Sequence, residues 1–263
     1  MNHLNLNIKT SILNPEIIHF ETIDSTNTFL LNRNEFKNGT VVLADFQTTG
    51  RGRRGRSWLS KPGQSLLFST LLTGLPPGIN LHGFTFATSI GVTRGLQEFA
   101  ENKPINVKWP NDVLLNHRKV CGILVETKTS GNLPQKIVVG VGINVNQPPE
   151  FFSGELRFGT SLFAETGRKA DRIKVLKSVI KEIDKAFADF LKNGFQHTIT
   201  IWKQLCPYIG KEITIDTGKS KQTGIFRDVN DEGALVLETG NKIRTYFAGD
   251  VSIAKEKAYA SGN

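Results

Sequence analysis

Two textures of strand divide this chain of 263 residues. Up to Cys206-Pro207 the strand-like segments are continuous apolar runs: TVVLADFQ (Thr40 to Gln47), SLLFSTLLT (Ser65 to Thr73), KVCGILVET (Lys119 to Thr127) and KIVVGVGINVN (Lys136 to Asn146). Such runs, partly β-branched, read as buried strands. Beyond that point EITIDTG, KQTGIFRDVNDEGALVLET and KIRTYFAGDVSIA alternate apolar and polar residues between Asp/Asn/Gly turns, the pattern of a small antiparallel barrel. The change places a domain boundary near 206, with a larger unit over 1–205 and a smaller one over 206–263.

The remaining segments supply helices and further strands. Residues 15–24 alternate as a strand, and Asp24-Ser25 then opens a helix continued by Thr28, Phe29, Leu30 and Leu31. Phe84 to Asn102 has helical length, and its interior Gly91 and Gly95 predict close packing against the sheet. INVKWPNDVLLN (Ile105 to Asn116) reads as a strand interrupted at Pro110 and then resumed. Residues 171–192 form the clearest helix, with Ile173, Leu176, Ile180, Ile183, Phe187 and Phe190 at spacings of three and four.

Composition narrows the function classes without choosing one. Apolar residues make up 38% and charged ones 22%, as in a soluble globular protein, and no stretch reaches the roughly 18–20 apolar residues of a membrane span. The N-terminal MNHLNLNIKTSILNPE has no apolar core behind a basic start, so it does not read as a signal peptide. Cys121 and Cys206 lie far apart, against a disulfide framework or zinc cluster and in keeping with a reducing cytoplasm. The net charge of +9 suits nucleic acid, an anionic small substrate or an acidic protein partner.

Four constellations carry possible chemistry. Gly50-Arg51-Gly52-Arg53-Arg54-Gly55-Arg56, followed by Trp58, packs four arginines into seven residues. It reads either as a basic or RNA-binding segment or as a loop closing over a site, and its place between two strands favours the second. Three glycines and four mutually repelling arginines predict that the loop stays mobile until an anion arrives. Lys108-Trp109-Pro110-Asn111-Asp112, with Lys119 beyond it, suits a site for an anion and magnesium, although a lone KWPND is more often a strand ending in a turn. Lys119 opens an apolar strand, where an unpaired ammonium would be costly, so a ligand partner is expected. Gly140-Val141-Gly142-Ile143-Asn144 is a buried strand with a polar amide needing partners, and Asp24-Ser25-Thr26-Asn27 is a helix cap that can also bind polar ligand atoms. No Ser-His-Asp order is evident, none of His3, His19, His82, His117 and His197 has metal-ligand spacing, and Cys121 has no evident base.

In order and spacing, IDSTN (Ile23 to Asn27), ADFQTTGRGRRGRSW (Ala44 to Trp58), VKWPNDVLL (Val107 to Leu115), RKVCGILVE (Arg118 to Glu126) and VGVGINV (Val139 to Val145) resemble the biotin protein ligase family, over roughly residues 17–255. The resemblance implies an α+β fold: a mixed β-sheet flanked by helices, of the biotin/lipoate ligase and class II synthetase type, with a small C-terminal SH3-like β-barrel. It implies activation of biotin by ATP to biotinyl-5′-adenylate and transfer to a lysine of a carboxylase's biotin carboxyl carrier domain, with Mg2+ as metal. Carried over by position, Ser25, Thr26, Asn27, Gln47, Gly50, Arg51, Gly52, Arg53, Lys119 and Gly122 are expected around biotin, with Lys119, Arg51 and Arg53 catalytic. Arg53, Trp58, Lys108, Asn111, Asp112 and Asn144 are expected around ATP, with Trp58 stacked on the adenine and the metal near Asp112 and Asn144. Cys121 stands where many members have alanine.

Longer members carry an N-terminal winged helix-turn-helix, for which some 15–20 residues before the first motif are too few, so no operator DNA is expected as a partner. Lipoate ligases and octanoyltransferases share the catalytic fold, but typically show an RRxSGGG-like motif where this chain has GRGRRGR. A basic nucleic-acid module is a rival of another class, and it leaves KWPND and GVGIN unexplained. A cytoplasmic location and no membrane contact are expected, and the sequence leaves monomer and homodimer both open.

Overall fold

The structure, a computed structural model, describes residues 2–130 and 133–253. In chain order the elements are β1 (Asn2–Asn5), β2 (Glu16–Ile23), α1 (Thr26–Leu31), β3 (Val41–Gln47), β4 (Ser65–Leu72), α2 (His82–Leu96), β5 (Ile105–Lys108), β6 (Asp112–Leu115), β7 (Arg118–Ser130), β8 (Leu133–Asn144), α3 (Leu162–Thr166) and α4 (Arg172–Gln204). Strands β9 (Glu212–Asp216), β10 (Lys221–Val229), β11 (Leu235–Thr239), β12 (Lys242–Tyr246) and β13 (Asp250–Ile253) follow.

The first eight strands form one mixed sheet in the order β1-β2-β3-β4-β8-β7-β6-β5, with β2 parallel to β3 and the other neighbours antiparallel. Alternation along each strand divides its faces. Ile17, Val41, Leu72 and Val139 meet α2 and α4 in the main core, whereas Ile18, Val42, Leu71 and Val138 meet Phe29 and Leu30 of α1 on the other side. The same alternation explains GVGIN. Val139, Val141 and Ile143 fill the core, so Gly140, Gly142 and Asn144 lie on the α1 face.

Three sequence readings change. Ile105 to Asn116 is a tight hairpin, not one resumed strand, because β5 turns at a cis Trp109-Pro110 bond and pairs with β6 (Lys108 opposite Asp112). The amphipathic helix runs past 192 to Gln204, interrupted at Gly194, whose φ of 81° is left-handed. Gly91 and Gly95 of α2 pack against helix α4 rather than the sheet: a Cβ at Gly91 would lie 2.6 Å from Ile183 Cα, and one at Gly95 2.6 Å from Val179 Cα.

After α4, β9–β13 form an antiparallel sheet in the order β12-β11-β10-β9-β13. No pairing between β12 and β13 is present among the described residues, so the small SH3-like barrel expected is here a five-stranded antiparallel sheet open between those two strands. It does not have a core to itself. Ile213, Ile215, Phe226, Leu235 and Leu237 pack into one cluster with Phe86 and Ile90 of α2, Trp109, and Trp202 of α4. Trp109 Nε1 donates to Gly233 O at 3.0 Å, which ties the β5–β6 turn to the second sheet.

No helix among the described residues is long and apolar enough to cross a membrane.

The α2–α4 contact gives a test. Alanine at Gly91 gains up to about 1 kcal/mol of helix propensity, but overpacking against a backbone typically costs about 1–3 kcal/mol. We expect Gly91→Ala to be net destabilising by about 1–2 kcal/mol in urea unfolding; a variant more stable than the parent contradicts the close approach.

Candidate active site

The arginine-glycine loop, β7, the β5–β6 turn, the start of α2 and the rim of the second sheet line a cavity of about 870 Å³. Its lining includes Gly50 to Arg56, His82, Asn111, Glu126, Gly233 and Phe247.

The central charged pair is built by two local irregularities. The β5–β6 turn places Asp112 opposite Gly122 of β7. Register then shifts, so that Leu114 pairs with Lys119 and Val120 is left over as a bulge. A bulge re-aims side chains. Val120 and Cys121 both enter the core, while Lys119 Nζ comes to 2.6 Å from Asp112 Oδ1 and lies 3.3 Å from where a Gly122 Cβ would be. Phe158 O accepts from Lys119 N at 2.9 Å and Thr160 N donates to Lys119 O at 2.8 Å, pinning its backbone. Lys108 Nζ approaches the other Asp112 oxygen at 3.8 Å and donates to Val251 O at 3.3 Å. Burial alone would raise the Asp112 pKa, but Lys119 and then Lys108 outweigh it and hold the carboxyl below its ordinary value. The sequence suggested that Lys119 needs a ligand partner. Asp112 already provides a counter-charge within the protein.

Beside the pair, glycines make a floor for an aromatic plate. Gly122 and Gly142 are opposite one another on β7 and β8. A Cβ at Gly142 would lie 2.6 Å from the Trp58 indole, and one at Gly122 2.8 Å from it. Lys119 Nζ sits 5.8 Å from the Trp58 ring centroid. The ring therefore lies against bare backbone, next to the ammonium.

The cap of α1 joins a polar cluster tied to the cavity wall through Glu126. Ser25 is the N-cap. Thr26 N donates to Gln47 Oε1 at 2.7 Å, and Thr26 Oγ1 lies 2.6 Å from Ser69 Oγ. Asn27 Nδ2 donates to Glu126 Oε2 at 2.7 Å, and its Oδ1 accepts from Ser69 at 2.5 Å. Gly140 is required here, because a Cβ there would fall 2.3 Å from Asn27 Oδ1.

The loop is folded back on itself and tied to both sheets. Arg51 bridges to Ser57, Trp58 N donates to Gly50 O at 2.9 Å, and Arg54 adopts a left-handed φ of 58° at the turn. The protein's own acids offset the repulsion. Arg51 pairs with Glu126 at 3.0 Å, while Arg54 and Arg56 pair with Asp250 of the second sheet at 3.4 and 2.5 Å. Arg54 also donates to the carbonyls of Asp216 and Thr217. Arg53 differs. Among the described residues it has no carboxylate ion pair, and Nη1 donates to Asn111 Oδ1 at 3.1 Å. Partial burial lowers its pKa, offset in part by Asp112 and Asp250.

The structure thus brings Lys108, Asn111, Asp112, Lys119, Gly122, Trp58 and Arg53 together, and gathers Ser25, Thr26, Asn27 and Gln47 with Ser69. Asn144 is turned elsewhere, donating to Thr160 O at 3.0 Å and accepting from Gln147 at 3.1 Å. Ser69, Glu126 and His82 were not found by sequence reasoning. Ser69 hides in an apolar strand, and His82 reaches the cavity only through the placing of α2. Burial, then Arg53, lowers the His82 pKa. Cys121 is buried and its thiol is pushed far up, so it is not a nucleophile.

Comparison with known proteins gives concordant matches. Residues 19–144 match the Biotin/lipoate A/B protein ligase family, and residues 208–253 the Biotin protein ligase C terminal domain. The chain is 34% identical to a biotin--[acetyl-CoA-carboxylase] ligase of Paracoccus denitrificans, across 81% of this chain and 90% of that one. It is 32% identical to the bifunctional ligase/repressor BirA of Bacillus subtilis, across 94% of this chain and 76% of that one. A biotin protein ligase from Aquifex aeolicus, solved in complex with biotin and ATP, superposes with a TM-score of 0.77 at 34% identity, covering 90% of this chain and 97% of that one.

The charged pair gives a pH test. A carboxyl whose pKa is lowered by folding contributes stability that is present above its unfolded value, about 3.9, and is lost as pH falls. We expect Asp112→Asn to cost about 2 kcal/mol at neutral pH, discounted from the fully buried case because Lys119 is about a third exposed. Its stability should then change less than the parent's between about pH 5 and pH 3. Parallel pH profiles in denaturant unfolding would exclude the pair as a stabilising contact.

Proposed function

The chain belongs to the biotin protein ligase family, and from that premise we propose how its residues divide the work. The enzyme uses ATP to convert biotin to biotinyl-5′-adenylate and transfers biotin to a lysine of the carrier domain of a carboxylase. The observation that carries the reading is the Lys119–Asp112 pair beside the Gly122–Gly142 floor, under a loop whose Arg53 has no carboxylate partner among the described residues.

A carboxylate is a poor acylating agent, and adenylation supplies the leaving group it lacks. Biotin's carboxylate oxygen attacks the α-phosphorus of ATP and pyrophosphate leaves. The acceptor amine then attacks the acyl carbon, and AMP departs with the oxygen that bridged carbon and phosphorus. In this reading Lys119 exchanges Asp112 for the biotin carboxylate and then for the acyl phosphate. Arg53 offers its fork to the α-phosphate, and preorganised donors of this kind are worth most in a site sheltered from water. Gly50, Arg51 and Gly52 cover biotin from the loop, and Trp58 gives the adenine an aromatic face. Thr26, Gln47 and the cap of α1 hold the ureido ring, Ser25 and Asn27 shape that cap, and Lys108 and Asn111 stand by the phosphates.

No enzyme nucleophile is required, which agrees with a buried Cys121 whose thiol is pushed far up. The donor set argues for Mg2+ arriving on the nucleotide's phosphates rather than in a protein-built cage. Asp112 is held by two lysines and the Asn144 amide by Thr160 and Gln147. No step is therefore routed through the metal.

Two variants test the assignment. Lys119→Ala should lower the rate of biotin-dependent pyrophosphate release by about 100-fold or more in protein that still folds, with a lowered melting temperature because buried Asp112 loses its nearest counter-charge. Turnover near the parent's would remove Lys119 from the site. Arg53→Gly removes a charge-assisted contact worth roughly 1.5–3 kcal/mol, so biotinyl-adenylate should still form but escape about 10- to 100-fold faster, labelling bystander lysines. Retention of radiolabelled adenylate through rapid gel filtration, equal in variant and parent, would contradict this role.

A further inference from the structure

Thr26, Ser69 and Asn27 pose a problem of proton counting. Thr26 Oγ1 lies 2.9 Å from Gln47 Oε1 and 2.6 Å from Ser69 Oγ, and Ser69 Oγ lies 2.5 Å from Asn27 Oδ1. Each of these three oxygen–oxygen contacts needs a proton, and two hydroxyls supply two. The Asn27 amide cannot be reversed to help. Its Nδ2 donates to Glu126 Oε2 at 2.7 Å and to Leu124 O at 3.3 Å, and both partners only accept. The Ser69 proton must therefore go to Asn27 Oδ1, and Ser69 Oγ takes the Thr26 proton across the shorter of the two contacts that Thr26 makes. Gln47 is likewise fixed oxygen first, since its Oε1 accepts from Thr26 N at 2.7 Å. Thr26 Oγ1 and Gln47 Oε1 then face each other one proton short.

We propose that Glu126 and Ser69 are positioning residues that set the direction of this chain, so that Thr26 Oγ1 and Gln47 Oε1 meet the ligand as acceptors and select a ring bearing an N–H. The proposal rests on the reading that the ureido ring of biotin lies here. A ring N–H supplies the third proton, whereas an oxygen in its place adds one more lone pair to oxygens already short of a donor. Such a mismatch is costly because the buried acceptor is left unpaired. Ser69 is completely buried and Thr26 is 3% exposed, so water is a poor substitute for that donor. Arg51 of the loop pairs with the same Glu126 oxygen that holds Asn27, at 3.0 Å. The carboxylate that directs the chain is thus also where the loop is tied down.

The test is calorimetric titration of the full chain, Ser69→Ala and Glu126→Gln with biotin and with its cyclic carbamate analogue, in which oxygen replaces one ring N–H. The parent should prefer biotin by at least about 10-fold. Ser69→Ala frees the Thr26 hydroxyl to turn, and Glu126→Gln offers an NH2 that lets the chain run either way. In each variant the preference should fall at least several-fold. The ratio of the two affinities is taken on folded protein, so a simple loss of stability does not move it. If the parent fails to bind biotin, the functional reading falls and this proposal with it. If the parent shows the preference and both variants keep it unchanged, the proposal alone is overturned.

Discussion

An ammonium and a carboxylate 2.6 Å apart, Lys119 Nζ and Asp112 Oδ1, organise the site. Placing them there requires a turn at Pro110 that swings β6 back along β5, and a bulge at Val120 that turns Lys119 out of the core's alternation. It also requires glycines at 122 and 142, since a methyl at either position would strike the Trp58 ring packed beside the ammonium. A pair held this way keeps a cation ready without leaving it unpaired, at a place where an incoming carboxylate can compete for it. In the proposed mechanism, substrate binding is then an exchange of anions at Lys119, with Asp112 and Lys108 remaining as a partner pair.

The loop divides its arginines between two duties. Arg51 reaches back to Glu126 on the main sheet, and Arg54 and Arg56 reach forward to Asp250 on the second. Those three anchor the loop, whereas Arg53 is held by Asn111, and the proposed mechanism gives it the anion in the cavity. The small sheet therefore belongs to the working site as well as to the shared core: its Gly233 holds Trp109, and its Phe247 and Gly233 line the cavity. A chain that separated the two sheets would lose both the anchor for Arg54 and part of the wall.

Much of this was legible in the sequence, for a physical reason. Continuous apolar runs announced the buried strands, the alternating texture after Cys206 announced the second sheet, and the order of five short motifs announced the family and with it a mixed main sheet. What stayed hidden depends on contacts between distant residues. The seven-residue gap between Asp112 and Lys119 says nothing about a bulge that points both side chains the same way. Gly91 and Gly95 signal close packing, but not whether the neighbour is a sheet or a helix. Ser69 looks like any small residue in a buried strand until Thr26 and Asn27 are folded against it. The arginines of the loop suggest repulsion only because their partners, Glu126 and Asp250, lie 75 and 194 residues away from Arg51 and Arg56.

The central claim is that this site activates a carboxylate by joining it to the α-phosphate of ATP. Biotin carrying heavy oxygen in its carboxylate tests this most directly, by mass spectrometry of the AMP released after transfer to a biotin carboxyl carrier domain. The account predicts one heavy oxygen in the AMP, because the bridging atom leaves with it when the amine attacks. Unlabelled AMP, or label found instead in inorganic phosphate, would contradict it.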